Sequence, residues 1–156
     1  MPADPDLIIA AARGWLGTPY HDQASVKGTG CDCLGLARGV WREVVGPEPL
    51  PVPPYSRDWG GQTHAFDGPF EVLADGAGRW MLMVPVAEAG PGALVLFRMR
   101  RGAIAKHIGI LTGPADGPAT FLHSYEGLGV VEEPLTTAWA RRIALAFLFP
   151  APSEAR

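Results

Sequence analysis

Apolar side chains recur three or four positions apart between residues 7 and 15, and again between residues 34 and 44. These two runs predict helices over 5–16 and from about Asp32 to Val45, the second ended by Gly46-Pro47. Asp32 is a suitable N-cap residue because its carboxylate can accept a hydrogen bond from a free amide of the first turn. A short third helix is predicted over 61–75.

From residue 93 the spacing changes to that of strands separated by Gly, Pro and Asp. The pattern predicts strands over 93–99, 104–112, 120–125, 129–132 and 143–149, with a helical turn over 136–141. Residues 46–60 are interpreted as a proline-rich surface connection, and 76–91 give no clear pattern. Because helices come first and strands follow, the predicted fold class is α+β with a mainly antiparallel sheet.

Length and composition indicate one globular domain over 1–156. The chain has 156 residues, of which 47% are hydrophobic and 19% charged, which is enough to build a core and unlike a disordered segment. The net charge of −3 gives no sign of a phosphate-binding surface, so nucleic acid is not expected as a partner. The apolar run 7–12 is short and stops at Arg13, which predicts neither a signal peptide nor membrane insertion. Synthesis in the cytoplasm is therefore expected.

The chemistry of the chain centres on its two cysteines. Cys33 falls in the first turn of the second predicted helix, where unpaired amides and the helix dipole favour a thiolate. We therefore interpret Cys33 as a candidate nucleophile. Cys31 lies before the N-cap and gains less from the helix dipole, so we interpret it as a residue that packs or supports the loop, with nucleophile as its alternative role. A disulfide between the two cysteines would be strained, since only one residue separates them.

Two histidines in successive predicted strands supply the partners that a thiol nucleophile needs. Strand alternation places His107 and Gly109 on a face with few large side chains, which we expect to meet the start of the Cys33 helix. His107 is therefore the candidate general base, and His123 the group that orients its ring. The hydroxyl of Tyr20 and the amide of Cys33 are candidate donors to an oxyanion or a substrate carbonyl.

Other interpretations of the same residues remain. Cys31, Cys33, His107 and His123 suit zinc by type, although Cys-x-Cys is a less usual spacing than Cys-x-x-Cys. Buried packing is the commonest role of a free thiol, and a structural hydrogen bond is an ordinary role for a histidine. We expect no metal and no cofactor.

Four segments resemble, in order, the motifs of the NlpC-type cell-wall cysteine peptidases. They are WLGTPYHDQASVKGTGCDCLGLARGVW from residue 15, PGALVLF from 91, KHIGILTG from 106 and FLHS from 121. The resemblance implies a papain-like fold and hydrolysis of peptidoglycan stem peptides, often at the bond between D-glutamate and diaminopimelate. It also implies Cys33 as nucleophile, His107 as base and His123 as the third polar residue, with Tyr20 near the site.

Two positions depart from the family pattern: Leu34 stands where Ser is usual, and Ala93 where Asp is usual. The variant GCDCLGL resembles most the branch encoded beside tail genes of phages and gene transfer agents. That resemblance implies a tail-tip or baseplate partner, and incorporation in a phage-like particle that carries the enzyme to the periplasm or cell wall. A silent structural tail component and a related thiol amidase or acyltransferase are the alternatives.

Overall fold

The computed structural model describes residues 1–49, 72–102, 105–114 and 116–152. The helices are α1 (Pro5–Arg13), α2 (Cys33–Val44), α3 (Val72–Trp80) and α4 (Thr137–Ala140). The strands are β1 (Ser25–Val26), β2 (Gly30–Cys31), β3 (Leu82–Val84), β4 (Leu94–Phe97), β5 (His107–Leu111), β6 (Thr120–Tyr125), β7 (Gly129–Pro134) and β8 (Ile143–Leu148). A short 3-10 helix covers Val86–Glu88.

Six of the described strands form one antiparallel sheet in the order β3-β8-β4-β5-β6-β7, and β1 pairs with β2 separately. Each strand predicted beyond residue 93 is present, and the helical turn before the last strand is α4. The predicted α+β class with a mainly antiparallel sheet is confirmed. No helix of the described residues is long and apolar enough to cross a membrane.

The helices α1 and α2 pack against each other, and both contact β5 on one face of the sheet. The core on this face contains the buried residues Ile8, Trp15, Leu36, Val40, Leu96, Ile108, Ile110 and Leu122. A second cluster lies on the opposite face and contains Val95, Phe97, Phe121 and Ala146, against which Trp139 packs. The sheet therefore separates two apolar layers, and alternate residues of β5 enter different layers.

The helix starts follow from their capping residues. Asp4 caps α1, with Pro5 at the first helical position. Asp32 caps α2 as predicted, and its Oδ1 accepts from the amide of Gly35 at 2.7 Å. This cap fixes Cys33 as the first residue of α2.

The middle of the chain differs from its prediction. Residues 61–71 of the predicted third helix, and most of the proline-rich connection, lie outside the described residues. α3 extends five residues beyond the predicted end at 75 to Trp80. The unassigned segment 76–91 also contains β3, a three-residue edge strand whose Leu82 and Met83 are exposed, so that it lacks an alternating burial pattern.

Gly39 allows α1 and α2 to approach closely. A Cβ at this position would overlap the indole of Trp15. We expect Gly39→Ala to destabilise the protein by about 1–3 kcal/mol, because an overpacked core must shift. Urea unfolding checks this, with Gly78→Ala in α3 as the matched control.

Gly78 is exposed, and a Cβ there would meet nothing within 4 Å. The control should raise helix propensity and leave stability equal or higher by up to about 1 kcal/mol. Equal stability of the Gly39 and Gly78 variants would show that the contact with Trp15 does not limit the spacing of the helices.

Candidate active site

A network around Asp32 builds the start of α2. Asp32 is buried; besides capping the helix, its Oδ2 accepts from the amide of Gln23 at 2.8 Å. Gln23 adopts a positive φ of 64°, a conformation that non-glycine residues seldom adopt. One buried carboxylate therefore fixes both the preceding loop and the first turn that carries Cys33.

The segment containing Tyr20 pairs with the chain just before the helix. Cys31 donates its amide to the carbonyl of Pro19 at 3.0 Å, and its own carbonyl accepts from the amide of His21 at 3.1 Å. Tyr20 is half-buried beside Cys31. The predicted placement of Tyr20 near the start of α2 is thus found, while Cys31 itself is fully buried in the core.

Cys33 is positioned where β5 and β6 diverge. Within the described chain these strands pair only at Ile110↔Leu122 and Leu111↔Phe121, and α2 contacts both of them. The hydroxyl of Ser124 donates to the carbonyl of Cys31 at 2.7 Å, and the amide of Ile108 lies against the Cys33 thiol. Cys33 as a whole residue is half-buried, and its thiol lies beside the residue that follows His107.

Three side chains form a continuous chain of hydrogen bonds on β5, β6 and β7. Nε2 of His107 is 2.8 Å from Nδ1 of His123, and Nε2 of His123 is 2.6 Å from Oε2 of Glu133. His123 is fully buried, His107 nearly so, and Glu133 is about one-third exposed. The predicted pairing of His107 with His123 is present, and Glu133 extends it to a carboxylate.

The carboxylate sets the direction of these hydrogen bonds. A carboxylate only accepts, so Nε2 of His123 must donate to Glu133. In the neutral ring, Nδ1 of His123 is then an acceptor, and Nε2 of His107 donates to it. Nδ1 of His107 is consequently left without a proton, which is the state required of a general base.

Aromatic rings enclose the two imidazoles. Trp139 covers both, with centroid distances of 5.9 Å to His107 and 5.2 Å to His123. Tyr125 stacks on His123 at 5.3 Å, and Phe97 lies 5.6 Å from His107. These rings shield the hydrogen bond between the histidines from water.

The face of β5 that carries His107 therefore differs from its prediction. The sequence predicts few large side chains here and contact with the Cys33 helix. Instead Phe97 and Phe121 fill the space beside Gly109, and α2 covers the opposite face. The prediction failed because the large residues of this face come from β4, β6 and α4, not from β5.

Burial sets the protonation of the resting site. It raises the pKa of the Cys33 thiol to about 12, with Asp32 acting in the same sense, although the amides of Ile108, Leu34 and Cys33 oppose it. The amides at the helix start favour the thiolate, as predicted, but desolvation outweighs them in the resting site. Burial and the nearby His123 lower the pKa of His107 to about 3. Both groups are neutral over the physiological range.

Burial also shifts the pKa values of His123 and Cys31. The pKa of His123 is lowered by burial, with Glu133 acting in the opposite sense. Burial raises the pKa of Cys31 to about 11. Across the described ranges, no group of three or more His, Cys, Asp or Glu side chains is placed to hold a metal ion.

Glu133 and Trp139 are among the neighbours of the histidines that the sequence analysis did not place at the site. The signal for Glu133 is the tight turn after Tyr125, which pairs Tyr125 with Gly129 and brings Phe121 opposite Glu133. With that register, Glu133 and His123 share a face as diagonal neighbours. No comparable sequence signal predicts that Trp139 lies beside the histidines, because α4 is a helix and does not pair with a strand.

Comparison with known proteins identifies the fold. No family model and no curated protein matches the chain. An NlpC/P60 family protein from Bacillus cereus aligns with a TM-score of 0.59 and 22% identity, covering 94% of this chain and 40% of its own. NlpC1 from Trichomonas vaginalis aligns with a TM-score of 0.58 and 15% identity, covering 96% of this chain and 44% of its own.

A lipoprotein-like NLP/P60 family protein from Staphylococcus aureus gives a TM-score of 0.55 and 19% identity, covering 94% of this chain and 41% of its own. This chain spans less than half the length of each of these structures. At such identities the likeness concerns the fold, which is the papain-like α+β architecture of NlpC/P60 proteins.

Proposed function

We propose that this chain is a cysteine peptidase that hydrolyses peptide bonds in peptidoglycan stem peptides through Cys33, His107 and His123. One observation carries the proposal: a directed hydrogen-bond chain from Glu133 ends at His107, the residue before Ile108, whose amide lies against the Cys33 thiol at the start of α2. The fold shared with NlpC/P60 structures supports the substrate class. The bond between D-glutamate and diaminopimelate is the proposed target.

The reaction begins from neutral groups. Nδ1 of His107 takes the proton of Cys33 as the sulfur attacks the substrate carbonyl, which becomes a tetrahedral oxyanion. Protonated His107 then delivers this proton to the leaving amine, and the C–N bond breaks to leave a thioester. A water molecule gives a proton to His107 and attacks the thioester; the C–S bond breaks, the acid is released, and His107 returns the proton to the sulfur to restore the thiol.

Backbone amides at the start of α2 are the proposed oxyanion donors. The amides of Cys33 and Leu34 already lie against the thiol and have no intrahelical acceptor in the first turn. The hydroxyl of Tyr20 is a further proposed donor from the segment paired with Cys31. Because these amides are held by the Asp32 cap, they need little rearrangement as the negative charge develops.

Glu133 is the proposed source of the charge that stabilises protonated His107. A neutral His123 orients the ring but cannot balance an imidazolium, whereas the Glu133 carboxylate can do so through the shared hydrogen bonds. We expect Glu133→Gln to lower kcat about 10- to 100-fold with little change in KM, as for other groups that orient a functional residue. Steady-state kinetics on a stem peptide measures both constants.

Glu132 provides the matched control for this variant. Its carboxylate binds Arg13 at 2.9 Å and the hydroxyl of Thr112 at 2.6 Å, away from the histidines. Glu132→Gln should leave kcat within about twofold, as a surface ion pair contributes little. An equal fall in kcat for both variants would mean that Glu133 has only a structural role.

Mass spectrometry of muropeptides tests the function and identifies the bond. Purified sacculi are digested with the protein, and the soluble fragments are compared with those from an untreated sample. New amines at diaminopimelate are expected. Release of the whole stem from the sugar would instead establish an amidase, and absence of any fragment would favour a silent structural subunit.

The proposed route to the substrate is delivery by a phage-like tail. Its support is the resemblance of GCDCLGL to the branch encoded beside tail genes, and the proposed partner is a tail-tip or baseplate protein. Proteomic analysis of purified phage-like particles should detect this chain among the tail proteins. Detection only in the cell fraction would contradict tail delivery without affecting the proposed chemistry.

A further inference from the structure

Five arginines line one open cleft at the end of β4 and the start of β8. The cleft has a volume of about 500 Å³. Its lining includes Arg98, Arg100, Arg101, Arg141 and Arg142, and we call it the arginine cleft. This volume falls within the range of small-ligand pockets.

Four of the five arginines of the cleft have no ion pair among the described residues. No acidic side chain is among its lining residues, and Arg100, Arg101, Arg141 and Arg142 make no ion pair within the described part of the chain. Elsewhere the chain does pair its arginines: Arg38, for example, binds Glu48 at 2.7 Å.

The whole chain carries a net charge of −3, so this concentration of positive charge does not follow from its composition. Guanidinium groups bind carboxylates in a planar, bidentate geometry and are only weakly hydrated. Several of them around one cleft therefore make a site for an anion that bears more than one acidic group.

One indole connects the arginine cleft to the candidate active site. The guanidinium of Arg142 lies 5.6 Å from the centroid of Trp139, and the same ring covers His107 and His123. Phe97, which pairs with His107, is directly followed by Arg98 at the edge of the cleft. The cleft and the two imidazoles therefore share one neighbour, Trp139.

We propose that the arginine cleft is a substrate subsite that binds the free carboxylates of an acidic peptide beside the scissile bond. The inference rests on the proposed function, since it takes Cys33 as the point of cleavage. A carboxylate-bearing peptide is favoured over nucleic acid because the four arginines without an ion pair among the described residues lie around one small cleft, which shares Trp139 with the histidines. A nucleic-acid surface would present a longer basic stripe.

Binding to a non-cleaving protein tests the proposal separately from catalysis. The probe is a fluorescein-labelled stem tetrapeptide with free carboxylates, and its comparison is the same peptide with those carboxylates amidated. Anisotropy is measured with Cys33→Ala, alone and combined with Arg100→Gln, Arg101→Gln and Arg141→Gln. Arg142 is left unchanged because it contacts Trp139.

We expect the Cys33→Ala protein to bind the free peptide at least about tenfold more tightly than the amidated one, as charge-assisted pairing with arginine requires. The triple arginine variant should lose this preference. Lys27→Gln, which removes a positive charge paired with Glu43 elsewhere on the surface, should keep it. Thermal unfolding checks that each variant remains folded.

Equal affinity for the two peptides, or a preference that survives the arginine changes, would overturn the proposal. Arginine-dependent binding of a DNA oligonucleotide without any peptide preference would overturn it in favour of a nucleic-acid surface. A wild-type protein that releases no muropeptides but retains the arginine-dependent preference would refute the proposed hydrolysis and support the subsite. Normal hydrolysis without a preference for the free peptide would support the proposed hydrolysis and refute the subsite.

Discussion

Replacing Cys33 with alanine is expected to reduce the hydrolysis of stem peptides by about 10⁴-fold or more, because the covalent route is lost with the nucleophile. The protein should remain folded, since the Asp32 cap binds the backbone amide of Gly35 and does not use the Cys33 side chain. Initial rates measured by chromatography of the peptide products check this result.

Cys31→Ala is the matched control for the nucleophile. Cys31 lies two residues earlier and is fully buried in the core, with its carbonyl bound by Ser124. This variant should lose about 1 kcal/mol of stability, as expected for a small loss of buried volume, and retain its turnover. If the Cys31 variant lost its turnover and the Cys33 variant retained it, the nucleophile would be Cys31 and the assignment to Cys33 would be wrong.

Replacing His107 with glutamine is expected to lower kcat by about 10³-fold at neutral pH, within the range that general base catalysis contributes. The burial that raises the pKa of the thiol to about 12 leaves almost no thiolate at pH 7, so the proton must be removed during attack. Glutamine can keep a hydrogen bond with His123 but cannot accept that proton.

The pH profile distinguishes loss of a base from loss of structure. Without His107, attack depends on the thiolate fraction, which rises about tenfold per pH unit below the thiol pKa. The rate of the variant should therefore climb steadily from pH 6 to 9. The wild-type rate should stay nearly flat there, because burial lowers the pKa of His107 to about 3 and the base is neutral throughout.

His21→Gln serves as the control for removing an imidazole. His21 is exposed and its ring contacts only the carbonyl of Asp22 among the hydrogen bonds of the described residues. Its kcat and pH profile should match those of the wild type. A flat profile for the His107 variant would indicate that another group takes the proton.

Local sequence signals were sufficient for the elements that carry the site. Asp32 fixes the start of α2 by a hydrogen bond three residues away, so the position of Cys33 follows from capping chemistry alone. β6 was predicted over its whole observed length, because its ends are marked by turn residues. The pairing of His107 with His123 also follows from the order of adjacent strands.

Long-range packing was not predictable in the same way. The filling of the His107 face depends on Phe97, Phe121 and Trp139, which meet only when four elements assemble. The protonation of Cys33 depends on how completely the surrounding chain excludes water from the thiol. The position of Cys33 at the start of a helix does not predict this burial. Glu133 required the register of the β6–β7 hairpin, because Glu132 beside it is an equally plausible carboxylate in sequence.

The most direct test of the central claim is intact-mass spectrometry of the protein quenched during turnover of a stem peptide. The mechanism predicts a transient adduct with the mass of the acyl half of the substrate. Fragmentation should place it on Cys33, and hydroxylamine should remove it as it does a thioester. Turnover without any adduct, or an adduct on another residue, would contradict the assignment of Cys33 as the nucleophile.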